Sequence, residues 1–242
     1  MMTLVLLPGM DGTGTLYESF ISALGPSYSV KIVRYPTDEP LGYSELEDIA
    51  RAALPSEGPF IILGESFSGP IAVSLAAECS SRLKGLILCC SFVKNPRPIF
   101  TGIKLFVDMF PNTIMPKAML NFFLLGTFSN NALSSALSRA VSQVSSPVLL
   151  ARLKAVLSVN VSEKFSTLKV PVLYLRASHD RVVPRTSSEI ILLLNSRSKM
   201  VQIEAPHFLL QSAPVKAAQL VGTFAQEVKN KSTGSDSIFL AK

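Results

Sequence analysis

Histidine is nearly absent from this chain: its 242 residues include two, His179 and His207. Cysteine is scarce as well, limited to Cys79, Cys89 and Cys90. An odd count with two adjacent members is a poor disulfide framework, so buried free thiols in a reducing compartment are expected. On an extended strand Cys89 and Cys90 would face opposite sides. Without spaced Cys/His pairs there is no metal-ligand motif, and neither a metal nor another cofactor is expected. Charged residues make up only 17%, and although the net charge is +6, the Lys and Arg residues are scattered. That distribution argues against nucleic acid as a partner. Long hydrophobic runs are missing too. Thr3–Leu7 has no basic flank and soon meets Pro8-Gly9, and Asn121 and Gly126 interrupt Ala118–Phe128. Neither suits a signal peptide or a bilayer span, so a cytoplasmic protein without stable membrane insertion is the expectation. Gly9, Gly12 and Gly14 crowd one loop, yet the Gly-Lys-Ser/Thr ending of a phosphate loop and the last glycine of a dinucleotide fingerprint are both lacking.

What is present is an apolar chain, 48% hydrophobic, long enough for one full core. The continuous apolar run Leu4–Leu7 reads as a strand, as do Val30–Tyr35, Phe60–Leu63 and Leu83–Cys90. Helical spacing separates them, as in Leu16, Phe20, Ile21 and Leu24, or Tyr43, Leu46, Ile49, Ala50 and Ala53. Strict alternation of this kind predicts an α/β protein with a mostly parallel sheet flanked by helices. The alternation lapses over 95–166, where helical patterns rich in Phe and Met are punctuated by prolines, and resumes at Val170–Arg176 and Met200–Ile203. The expected organisation is a core of 1–94 and 167–228, an inserted helical cap at 95–166, and a loose tail at 229–242. The cap's aromatics are first of all its own core. Met109, Phe122 and Phe123 are also candidates to line an apolar pocket.

One stretch carries chemistry. Leu63-Gly64-Glu65-Ser66-Phe67-Ser68-Gly69 sets a serine between small residues where a strand passes into a helix, the local pattern of a nucleophile elbow. Ser68 stands where a second glycine is usual. Read plainly, the stretch is a strand–turn–helix with a solvated serine. Three further segments also fall just beyond strands: the Gly9–Gly14 loop, Asp180-Arg181-Val182-Val183-Pro184, and Pro206-His207-Phe208. In an open parallel sheet, ligands bind beyond the carboxyl ends of the strands. Ser66, Asp180 and His207 follow one another in the chain order of a Ser-Asp-His triad.

These segments together resemble the α/β-hydrolase family, in a short, capped, serine-esterase-like form, over about Thr3 to Val228. Two departures stand out: Pro8-Gly9 replaces a frequent His-Gly, and Ser68 replaces a glycine; the sheet is expected to begin at the oxyanion-loop strand, without the family's usual first two strands. The resemblance implies a serine hydrolase that cleaves carboxylic esters through an acyl-enzyme, and the apolar cap points to a short-to-medium acyl group. In such a hydrolase Ser66 is the nucleophile, His207 the base and Asp180 the orienting acid. Taken singly, Asp180 also reads as a turn or capping carboxylate and His207 as a structural histidine. The elbow motif makes the Phe67 N–H one oxyanion donor. Met10 is the second, on the resemblance alone. Asp11 could touch a substrate hydroxyl or brace its loop, and Glu65 could brace the site or be a buried hydrogen-bonded carboxylate. His179 reads as a surface or substrate-side group. The partner is a small-molecule ester, and the oligomeric state is open. Acyl transfer and thioester cleavage use the same acyl-enzyme and remain alternatives, and a non-catalytic hydrolase-like binding protein is a third.

Overall fold

Six strands form one parallel sheet in the order β2-β1-β3-β4-β5-β6. They are β1 (Thr3–Leu7), β2 (Ser29–Ile32), β3 (Phe60–Glu65), β4 (Leu83–Cys89), β5 (Val172–His179) and β6 (Ser198–Pro206). The computed structural model describes residues 1–78, 81–99 and 116–236, with side chains to residue 230. Side chains alternate along each strand, and because helices cover both faces, each set finds its own core. Val5, Leu7, Ile62 and Leu88 belong to one core, shared with Leu46 of α2 (Tyr43–Ala52) and Ile71 and Leu75 of α3 (Gly69–Ala77). Leu4, Leu6, Ile61 and Ile87 belong to the other. There they meet Phe20 of α1 (Glu18–Leu24) and Val221 and Phe224 of the C-terminal helix. The predicted α/β fold is therefore present, with the central strands β1, β3 and β4 buried almost end to end.

The segment from 116 to 166 holds α4 (Lys117–Leu124), α5 (Asn131–Ser142), α6 (Ser146–Ser158) and α7 (Ser162–Ser166), and no strand among the described residues. Pro147 opens α6, where its missing N–H costs nothing, and the Asn130 side chain caps α5 by accepting from the Leu133 N–H at 2.9 Å. An antiparallel bridge between Lys94 and Asn160 joins the two roots of this region. The Asn95 N–H donates to the Val159 carbonyl at 2.9 Å, and the Val161 N–H to the Val93 carbonyl at 2.7 Å. Leu125 and Leu137 make a small separate core with Phe208. After β5 come α8 (Arg185–Leu194), β6, α9 (Leu209–Ser212) and α10 (Pro214–Asp236). Among the described residues no helix is long and apolar enough to cross a membrane.

Three expectations need correction. Cys89 and Cys90 do not face opposite sides: both are buried in the same core. Cys90 has left the strand, with φ of 48°, so the strict alternation ends at Cys89. The expected second strand, Val30–Tyr35, ends at Ile32, because the Tyr35 N–H turns to the Gly12 carbonyl at 2.9 Å instead of β1. The tail expected to be loose from Lys229 is still helical to Asp236. No proline follows Val228, and extending a formed helix costs little. Cys79 and Met109 lie outside the described residues.

Candidate active site

β3 carries Ser66 out of the sheet at its C-terminal end. Ser66 has φ of 48°, a left-handed conformation that a non-glycine residue rarely holds without support. The support is local. The Ser91 hydroxyl donates to the Ser66 carbonyl at 2.5 Å. The small neighbours are obligatory: a Cβ on Gly64 would stand 2.8 Å from the Ser68 carbonyl oxygen, and one on Gly69 would stand 1.8 Å from the Ser91 hydroxyl. Ser68 fits because its hydroxyl is used. It donates to the Pro8 carbonyl and accepts from the Tyr35 hydroxyl at 3.0 Å.

The Ser66 Oγ lies 2.8 Å from His207 Nε2, and His207 Nδ1 lies 2.8 Å from Asp180 Oδ2 and 2.9 Å from Oδ1. The side chains of His207 and Asp180 are buried, at 6% and 7% exposure. The acid-side bond fixes the tautomer: Nδ1 carries the proton toward the carboxylate, which leaves the Nε2 lone pair for the Ser66 hydroxyl. Asp180 is also a turn carboxylate, since its Oδ1 accepts from the Val182 and Val183 N–H groups at 2.8 Å each. One carboxylate thus serves the turn and faces His207 as well. A register irregularity in β5 between Ala177 and His179 precedes it. Burial pulls the His207 pKa down, but the charge of Asp180, its hydrogen bond and the charge of Glu65 outweigh burial and raise it above 6.5.

Glu65 is a buried carboxyl whose Oε1 accepts from Gln211 Nε2 at 3.0 Å. Burial pushes its pKa up to about 7, moderated by that bond. Phe67 is buried and stacked on Tyr43, with ring centres 4.8 Å apart. Its N–H falls in the first turn leading into α3, where backbone donors have no intrahelical partner. Met10 sits in the glycine-rich loop, packed against the core of α2 and α3. Asp11 braces that loop: its Oδ2 accepts from the Thr13 N–H at 2.9 Å and from the Thr13 hydroxyl at 2.5 Å. Phe122 is 56% exposed and meets Phe123 edge-on at 5.2 Å. His179 is exposed and lies against Phe128, centres 5.3 Å apart.

Cys90, Asp180 and His207 offer ligand-type atoms within 4.8 Å of one another. Burial holds the Cys90 thiol pKa well up, and the His207–Asp180 bond occupies the facing atoms, so the chemistry of the set is that of a hydrogen-bonded acid–base pair. A cleft of about 220 Å³ on the outer side of Asp180 is lined by residues that include Arg176, Val183 and Gln202. It touches neither Ser66 nor Phe122 and Phe123.

Sequence reading missed Tyr35, Ser91, Arg152 and Gln211. Arg152 had a signal: it falls between Val148 and Val156 on the buried face of α6, where an arginine is out of place.

A family profile described as "Serine aminopeptidase, S33" matches residues 43–205. The chain belongs to this α/β-hydrolase family. The matched stretch of this α/β-hydrolase contains Ser66 and Asp180 and stops just short of His207. Solved structures repeat the fold at low identity. A lipase-esterase related protein from Clostridium acetobutylicum is 15% identical with a TM-score of 0.77, covering 92% of this chain and 94% of that one. A hydrolase from Oleispira antarctica is 15% identical with a TM-score of 0.78, covering 93% and 90%. A structure described with the carboxylesterases of the thaumarchaeon Nitrososphaera gargenis is 15% identical with a TM-score of 0.77, covering 95% and 91%. Among curated proteins, phytyl ester synthase 1, chloroplastic, of Arabidopsis thaliana is 35% identical over 104 residues, 39% of this chain but only 15% of that protein. The chain therefore spans a small part of that relative's length.

Proposed function

We propose that this α/β-hydrolase cleaves carboxylic esters of short-to-medium acyl chain through an acyl-enzyme on Ser66. The observation that carries the reading is the continuous series Ser66 Oγ–His207 Nε2, His207 Nδ1–Asp180, with the serine at φ of 48°. His207 takes the Ser66 proton as Oγ attacks the ester carbonyl, and the resulting imidazolium is stabilised by Asp180. The oxyanion of the tetrahedral intermediate is held by the Phe67 and Met10 N–H groups. Removing one such donor typically costs about 100- to 1000-fold in rate. Collapse of the intermediate passes the proton from His207 to the leaving alcohol. Water then repeats the sequence on the acyl-enzyme, releasing the acid and restoring Ser66. The test is turnover of p-nitrophenyl acyl esters by the Ser66→Ala variant. Loss of turnover in a folded protein is expected, and unchanged turnover would sink the reading.

A second reading has its own support. The curated relative is described as a phytyl ester synthase, which makes an ester. An acyl-enzyme on Ser66 serves synthesis if an alcohol, rather than water, takes the acyl group. Product partition with and without an added long-chain alcohol separates the two: ester formed in preference to free acid would assign acyl transfer.

A further inference from the structure

We propose that Arg152 is the positioning residue of the oxyanion loop: its guanidinium, delivered from α6, grips the Gly9–Gly12 turn by two carbonyls and so holds the Met10 N–H free toward Ser66. The inference rests on the acyl-enzyme reading.

Arg152 is 1% exposed. Its Nη1 donates to the Met10 carbonyl at 2.7 Å and to the Asp11 carbonyl at 3.0 Å, and its Nη2 to the Pro36 carbonyl at 2.9 Å. The turn itself is closed by the Gly12 N–H donating to the Gly9 carbonyl at 3.0 Å, and the Gly12 carbonyl accepts from the Tyr35 N–H at 2.9 Å. Every carbonyl from Gly9 to Gly12 thus has a partner. In a trans peptide the N–H points opposite to the C=O of the same unit. With the Gly9 carbonyl folded into the turn, the Met10 N–H points out of it. Among the described residues no backbone bond uses that N–H. The guanidinium fixes the next two peptide units, and through them the orientation of the first.

The loop is built around this cation. Gly12 has φ of +72°, and a Cβ there would lie 2.6 Å from Nη1. The backbone conformation favours glycine, and any side chain there would make the guanidinium shift. The Arg152 guanidinium carbon lies 5.7 Å from the centre of the Tyr35 ring. Tyr35 donates to Ser68, whose hydroxyl donates to Pro8, so one series of contacts joins α6, the oxyanion loop and the elbow. Both proposed oxyanion donors are thereby referred to one another. Burying a cation is costly, and here the Nε–H is buried with no partner among the described residues. An apolar side chain there would in turn take the donor away from the Met10, Asp11 and Pro36 carbonyls, so cation and loop depend on one another.

The test compares Arg152→Lys, Arg152→Met and Arg152→Ala with wild type in the full chain. It reads kcat and KM for a p-nitrophenyl ester, fluorophosphonate labelling, and the melting temperature. A mis-set donor costs up to about 100-fold, so kcat is expected to fall by roughly 10- to 100-fold with KM within about threefold. Labelling should slow in parallel, and millimolar guanidinium, but not tetramethylammonium, should restore part of the Arg152→Ala rate. Wild-type kcat in a folded variant, or a loss confined to KM, would overturn the proposal. So would unfolding of all three variants that guanidinium does not reverse, since Arg152 would then belong to the fold alone. Wild type that neither turns over nor labels is a different result: it removes the acyl-enzyme reading, and this inference with it.

Discussion

Arg181 holds Phe122 in two ways. Its guanidinium carbon lies 4.3 Å from the ring centre, and its Nη1 donates to the Phe122 carbonyl at 2.9 Å. Arg181 follows Asp180 in the chain. In parallel, Phe208, which follows His207, donates its N–H to the Leu124 carbonyl at 3.1 Å. The neighbours of the proposed acid and base therefore grip the same helix, α4. A cation over an aromatic face is worth about 0.5–2 kcal/mol. Arg181→Ala is expected to raise KM for acyl esters roughly two- to tenfold, with a smaller change in kcat. Steady-state kinetics over a range of acyl lengths checks this, and an unaltered KM would remove α4 from substrate binding.

Asp180→Asn keeps the side-chain shape but lets the amide donate to His207, which favours the wrong tautomer. A kcat loss on the order of 10,000-fold is expected, with KM little changed. The melting temperature should also drop, because the turn bonds from the Val182 and Val183 N–H groups weaken when the acceptor loses its charge.

The pH dependence of activity and of stability should run in opposite directions. The proposed mechanism needs neutral His207, whose pKa is raised above 6.5, so the acidic limb of kcat/KM should have its midpoint above 6.5. Glu65→Gln removes one of the raising charges and should move that limb to lower pH. For stability, both folded-state pKa values lie above the unfolded ones. The contribution of Glu65 is full below 4.5 and lost as pH rises through about 7. That of His207 is full below 6.5 and lost above it. Wild type should thus lose stability between pH 5 and pH 8, on the order of 3 kcal/mol of it through Glu65. Glu65→Gln should flatten the decline. Urea unfolding at the two pH values measures it, and an equal decline in both proteins would contradict the assignment.

Gly69→Ala tests the geometry of the elbow. The added Cβ would fall 1.8 Å from the Ser91 hydroxyl, which itself donates to the Ser66 carbonyl. Overpacking of this kind typically costs about 1–3 kcal/mol, and here it also frees the strained serine. A lower melting temperature and slower fluorophosphonate labelling should appear together. A labelling rate equal to wild type would show that Ser91 is not needed to hold Ser66.

Much of this protein is legible along the chain because its physics is local. Apolar runs in strict alternation with helical spacing determined a parallel sheet covered on both faces, and small residues at 64 and 69 marked a turn with no room for side chains. Ser66, Asp180 and His207 were each visible as polar groups at strand ends, though nothing local distinguished a triad member from a capping carboxylate or a packed histidine. Only the tertiary structure brought them together, since Ser66 and His207 are 141 positions apart and meet only when β3 and β6 share a sheet. It also decided that Ser68 is a brace rather than a tolerated departure, that Asp11 serves its own loop, and that Cys90 turns back into the core of Cys89. Arg152 shows the limit best. In sequence it is an arginine on an apolar stripe, an apparent misfit. Its partners are carbonyls of Met10, Asp11 and Pro36. Backbone carbonyls are the same in every residue, so no pattern of side chains announces them, and only the folded chain can show which ones a buried cation will meet.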